Sequence, residues 1–141
     1  MKRTLISSAS PYESEIGFSR AVRVGDLVAV SGTAPILPDG SSACPNDAVG
    51  QTRRCLSIIQ DAIEEAGGSL ADVYRTRIYL TDAVHAEDVG RAHGEFFSDI
   101  RPAATMVVVK ALLRDDWLVE IEAEALVGCS RKVITSLTKT T

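Results

Sequence analysis

The apolar positions fall into two patterns. Residues 18–24 (FSRAVRV) and 27–33 (LVAVSGT) are short strand-like runs in which β-branched and small apolar residues cluster. Gly25-Asp26 between them is a two-residue connection whose first position readily takes a positive φ, so the two segments predict a hairpin. From 48 to 66 they are spread at intervals instead. Ala48, Thr52, Cys55, Leu56, Ile59, Ile63 and Ala66 recur every three to four residues, while Arg53, Arg54, Asp61, Glu64 and Glu65 lie largely off that stripe. That spacing predicts an amphipathic helix. A loop at 34–46, rich in Pro, Gly, Ser and Asn, precedes it; Asp47 is placed to cap its orphan amides, and Gly67-Gly68 supplies the stop.

Downstream, 73–81 (VYRTRIYLT) is rich in β-branched and aromatic residues, and Asp82 opens a second helical stretch, 83–98, ended by Arg101-Pro102 because proline cannot continue it. Two more strands, 104–112 and 118–126, are joined by Leu113 to Trp117 in the manner of a hairpin. The order ββαβαββ, with no repeat or composition shift, predicts one α/β domain over residues 1–128, built as a single sheet with both helices on one face. Only the ends look loose, and residues 129–141 (CSRKVITSLTKTT) form an extension that reads either as an added edge strand or as a frayed tail.

The face away from the helices carries the chemistry. In the last strand Val119, Ile121, Ala123 and Ala125 point one way, and Leu118, Glu120, Glu122, Glu124 and Leu126 the other. On 73–81, Tyr74, Thr76, Ile78 and Leu80 make the apolar side and leave Arg75, Arg77 and Tyr79 opposite. Two arginines and three glutamates thus share a surface. It reads either as a solvated face with cross-strand charge pairs or as an oligomer interface, since Met106, Val108, Leu118 and Leu126 are expected on the same side.

Composition narrows the classes. With 141 residues, 45% hydrophobic and 24% charged, the chain suits one ordinary core, and a net charge of -4 is unhelpful for a polyanion, so nucleic acid is not an expected partner. No apolar run approaches the roughly 20 residues of a membrane span. The start MKRTLISSAS has no long apolar core to act as an export signal; a membrane is not expected, and the cytoplasm is the expected compartment. Cys44, Cys55 and Cys129, an odd number without CxxC spacing, read as reduced thiols. His85 and His93, eight residues apart, are not a metal pair and read as surface histidines, so no metal site is expected; Trp117 is assigned to packing.

The segments FSRAVRVGDLVAVSGT, EEAGGSLADV, RTRIYLTD, RPAATMVVV and LVEIEAEA, in this order over about residues 16–127, resemble those of the RidA/YjgF family of reactive-intermediate deaminases. The resemblance implies a chorismate-mutase-like α/β fold, assembled as a homotrimer with its sheets around a central barrel and a small-molecule cleft at each subunit boundary. It therefore favours the interface reading. Deaminating members hydrolyse imines or enamines such as 2-aminoacrylate to a 2-keto acid and ammonia, without metal or organic cofactor. Such chemistry needs a cationic partner for the substrate carboxylate and a carboxylate to position the water and move its proton.

Glu120 matches the family's cleft glutamate and is the candidate catalytic residue; its other reading is a structural ion-pair member. Gly32 matches a glycine whose backbone borders the cleft, its missing side chain leaving room for ligand or water; it fits equally well as a strand-end device. The family's arginine follows a Pro-Ala step, but Arg101-Pro102-Ala103-Ala104-Thr105 puts Ala104 there. Losing a charge-assisted contact in a desolvated cleft costs about 2–5 kcal/mol of affinity. Met106 stands where many members carry cysteine, and Phe18 where a tyrosine hydroxyl often lines the cleft, so the pocket is expected to be more apolar. Arg20, near the hairpin start, and Arg101, three positions before Ala104, are the two cations placed to turn toward an anion.

Two functions follow: a hydrolase or deaminase of small imines, enamines or related metabolites with atypical specificity, or a non-catalytic small-molecule binding or regulatory trimer. The ribonuclease activity attached by name to some relatives finds neither a basic patch nor a catalytic histidine cluster here.

Overall fold

The computed structural model describes residues 1–138. In chain order the elements are β1 (Arg3–Ile6), α1 (Pro11–Ile16), β2 (Ala21–Val24), β3 (Leu27–Thr33), α2 (Ala48–Glu65), β4 (Val73–Leu80), α3 (Ala86–Phe97), β5 (Ala103–Val108) and β6 (Val119–Leu126). The six strands form one mixed sheet in the order β1-β2-β3-β6-β4-β5, antiparallel except where β4 meets β5.

The helical stripe does what its period requires. Cys55, Leu56, Ile59 and Ile63 of α2 are sealed against Val28 and Val30 of β3, Ile78 of β4, and Val119, Ile121 and Ala123 of β6, and α3 adds Val89 and Phe97 beside them. Asp47 caps α2, its side chain accepting from the Gly50 N–H at 2.9 Å. Gly67 takes φ 90° just past the helix end, and a Cβ there would stand 2.7 Å from Arg23 Nη1, so this stop needs glycine twice over.

The second half departs from the expected order of pairing. The strand expected at 104–112 spans only Ala103–Val108, and it does not form a hairpin with 118–126. Instead β5 lies parallel to β4 at the sheet edge, and β6 inserts between β3 and β4. A strand, a helix and a strand in succession, as in β4, α3 and β5, close a crossover whose strands run parallel. Residues 109–118 then carry the chain across β4 to its vacant edge.

The N-terminus is not loose. Arg3 to Ile6 pair with Val24 to Ala21, and Ser10 opens α1 through a capping box with Glu13, Pro11 standing at the first helical position. Ser-Pro-x-Glu is a readable helix start, and it passed unread in the sequence. At the other end residues 129–138 join no helix or strand, although Cys129 Sγ donates to the Asp72 carbonyl at 3.3 Å and Lys132 Nζ donates to that of Asp99. Residues 139–141 of the expected extension lie outside the described residues. No helix among the described residues is long and apolar enough to cross a membrane.

Candidate functional site

β4 and β6 face each other in the register Arg75 to Glu124, Arg77 to Glu122 and Tyr79 to Glu120, so all three glutamates stand on the face that the helices leave open. A register shift between Val73 and Arg75 adds a bulge. That bulge turns Tyr74 out of the apolar side where alternation put it, and its hydroxyl donates to Glu124 at 2.9 Å. Glu124 also accepts from Arg77 Nη1 at 2.8 Å, and Arg77 first, Tyr74 second, hold its carboxyl below the usual range. Glu122 accepts from the Tyr79 hydroxyl and lies 3.9 Å from Arg77 Nη1.

Glu120 has no such partner. Among the described residues its carboxylate accepts no hydrogen bond and joins no ion pair, although the side chain is half-buried. Burial pushes its pKa above the usual carboxylate value, Arg20 opposes that rise and Glu122 adds to it. The carboxylate lies over Gly32: a Cβ on that glycine would be 3.4 Å from Glu120 Cδ and 3.5 Å from Oε2. Gly32 and Glu120 thus border one space, with ordinary van der Waals room between them for a methyl group.

Arg20 is brought to the same place. Its Nη2 donates to the Gly32 carbonyl at 2.6 Å across a register shift in β3 between Val30 and Thr33. Burial lowers the Arg20 pKa, and Glu13 and Glu120 oppose that fall. Glu13 is a buried carboxylate that sequence reading missed. Burial tends to raise its pKa, but hydrogen bonds from Ser8, Ser7 and Ser10 outweigh it. Phe18, 37% exposed, leaves α1 two residues before Arg20, its N–H bonded to the Glu13 carbonyl at 2.9 Å.

The other candidates lie elsewhere in the protomer. Ala104 and Met106 pair with Thr76 and Ile78, both buried on the helix side, so their side chains share that side. They are two strands from β6 and on the opposite face from Glu120. Met106, partly buried against the core, and Val108, paired with buried Leu80, therefore do not join the carboxylate face; Thr105 and Val107, beside Arg77 and Tyr79, do. Parallel pairing with β4 fixes that phase, where an assumed hairpin had reversed it. Arg101, at φ 58°, borders a surface cavity of about 390 Å³ with Tyr74, Asp99, Cys129 and Lys132, at the Glu124 end of the face rather than the Glu120 end.

His93 is not a surface histidine. Its Nε2 shares a 2.9 Å hydrogen bond with the fully buried Thr76 Oγ1, its ring lies 4.6 Å from that of Phe97, and burial lowers its pKa. Helical spacing from Val89 was the missed signal, since 89, 92, 93 and 97 share one face of α3. Trp117 is buried, its indole N–H donating to Ser42 Oγ at 3.1 Å, and burial pushes the Cys55 thiol far up.

The family described as Endoribonuclease L-PSP matches residues 8–127. The crystal structure of a Mycobacterium tuberculosis member of the YjgF/YER057c/UK114 family is 47% identical, covers 89% of this chain and 100% of its own, and superposes with TM-score 0.81. A RutC family protein of Pyrococcus abyssi is 35% identical over 77% of this chain and 84% of its own. The crystal structure of Escherichia coli TdcF with bound serine is 25% identical over 86% of this chain and 92% of its own, with TM-score 0.72.

Proposed function

Because the chain belongs to the Endoribonuclease L-PSP family, the RidA/YjgF group, we propose that it is a hydrolase of small imines, enamines or related metabolites in which Glu120 handles the attacking water. One observation carries this: of three glutamates on one face, Glu122 and Glu124 are occupied by Tyr79, Arg77 and Tyr74, and Glu120 alone is free. A half-buried carboxylate with a raised pKa and open lone pairs suits taking up and returning a proton.

The step balances without cofactor or metal. The water oxygen bonds to the imine carbon while Glu120 accepts one water proton and passes it to nitrogen; the hydroxyl of the resulting carbinolamine then gives its proton, again through Glu120, to the amino group, the C–N bond breaks as C=O forms, and ammonia leaves. An enamine first takes a proton at carbon and gives one up from nitrogen to become the imine. A family neighbour of this fold holds serine, a small amino acid, which supports a metabolite of that size.

The reading includes assembly as a homotrimer in the cytoplasm, with each small-molecule cleft at a subunit boundary. Glu120 and Gly32 lie on one face, while Ala104 and Met106 lie two strands away on the other, so β5 meets Glu120 only when another copy supplies it. The test generates 2-aminoacrylate from serine with a dehydratase and follows keto-acid release. Release above the buffer rate is expected. No rate with this or a panel of other imines, while small ligands still bind, would replace the enzyme by a binding trimer, and a stable monomer in sedimentation would remove the shared cleft.

A further inference from the structure

Arg20 is 9% exposed, yet its guanidinium makes one hydrogen bond among the described residues, to the Gly32 carbonyl, and its Nε is buried with no acceptor. Among the described residues no carboxylate comes within 4.0 Å of it: the carboxylates that act on it are Glu13, already bonded to Ser8 and Ser10, and Glu120. A cation buried with donors to spare is costly for hydrogen bonding alone. Its position has a second effect. Arg20 grips Gly32 by the carbonyl, and the Glu120 carboxylate faces the same glycine, 3.4 Å from where a Cβ would stand, so one residue lies between a fixed positive charge and the free carboxylate.

We propose that Arg20 is a positioning residue for Glu120: through its hydrogen bond to the Gly32 carbonyl it fixes the stretch of β3 that the carboxylate faces, and its buried positive charge favours the carboxylate form. This rests on the reading of Glu120 given above. The groups around Glu120 leave Arg20 no substitute. From β6 comes Glu122, a like charge; from β4 Tyr79, engaged with Glu122; from α2 Cys55, a thiol kept neutral by burial. Beyond Arg20 stands Glu13 of α1, another carboxylate. Without Arg20, burial and Glu122 both push the Glu120 carboxyl upward and the cation that opposes them is gone.

The experiment titrates the full chain with carbon-13 on the glutamate carboxyls. In Arg20→Gln the Glu120 midpoint is expected to rise by about one pH unit, and in Arg20→Lys, which keeps the charge, by less than half of that. An unmoved midpoint in folded Arg20→Gln overturns the proposal. Wild-type protein gives a second readout that needs no folded variant at position 20: the Arg20 Nε–H signal should move through the Glu120 titration and stay flat in Glu120→Gln. A flat signal in wild type overturns the proposal too. Neither readout needs turnover, so coupling without hydrolysis supports the positioning role and sinks the hydrolase reading, while hydrolysis with an uncoupled titration does the reverse.

Discussion

Glu124 and Glu120 lie four residues apart on one side of β6, and their surroundings are opposite. At the Glu124 end a bulge turns Tyr74 outward, Arg77 reaches over, and both donate to the carboxylate. At the Glu120 end β3 bears a glycine, the nearest cation is bound to a backbone carbonyl, and the carboxylate is left to burial. One strand therefore carries a carboxylate satisfied for structure and another held in reserve, and what separates them is the neighbour on the adjacent strand rather than the residue itself.

The widest break of that comparison is catalytic. Glu120→Gln should lower keto-acid release from an imine by about a hundredfold or more, while Glu124→Gln stays within a few-fold of wild type, measured side by side. Equal losses would mean that the two ends do not differ in role. Next in size is Ala104→Arg, which should raise kcat/KM for a carboxylate-bearing enamine about tenfold or more if β5 of a neighbouring copy borders Glu120. An unchanged value would place β5 away from the site.

Stability should separate the two glutamates by sign. The folded pKa of Glu120 is raised, so its favourable contribution is complete below the ordinary value of 4.5 and is lost as pH rises through the folded value. That of Glu124 is lowered, so its contribution is present above 4.5 and is lost as pH falls through the folded value. Thermal melts at neutral pH should then show Glu120→Gln a few degrees above wild type and Glu124→Gln below it, both differences shrinking in acid. The same sign for both would remove the distinction. The smallest effect is expected from Gly32→Ala, whose methyl would meet Glu120 Cδ at 3.4 Å and should cost about two- to threefold in rate with little change in melting temperature.

Local rules made much of the fold legible. Period, capping and breakers located the hairpin, both long helices and the β4 and β6 strands, because each of those signals acts within a few residues. What stayed hidden is non-local. Nothing in Ala103–Val108 states whether it pairs forward with β6 or back with β4, and that choice decides which side Ala104 and Met106 face. The bulge at Tyr74 shifts alternation by one residue, which a regular period cannot show. Glu120, Glu122 and Glu124 are alike in sequence and part only when Tyr79, Arg77, Tyr74 and Gly32 arrive from other strands. Glu13 was legible in its capping box; its proximity to Arg20 was not.

The bond between His93 and Thr76 sets an acid limit on this fold that has nothing to do with its carboxylates. Burial holds the His93 pKa below the ordinary 6.5, so the stability it lends is complete above that value and drains away as pH falls through the lower one. Protonation would place a cation against a fully buried hydroxyl on β4 and the ring of Phe97. The helix that gives way is α3, and α3 is the tether that carries the chain from β4 to β5. Mild acid should therefore loosen the β5 margin of the sheet before its centre, and amide exchange in Ala103–Val108 should quicken at a pH where β3 and β6 are still protected.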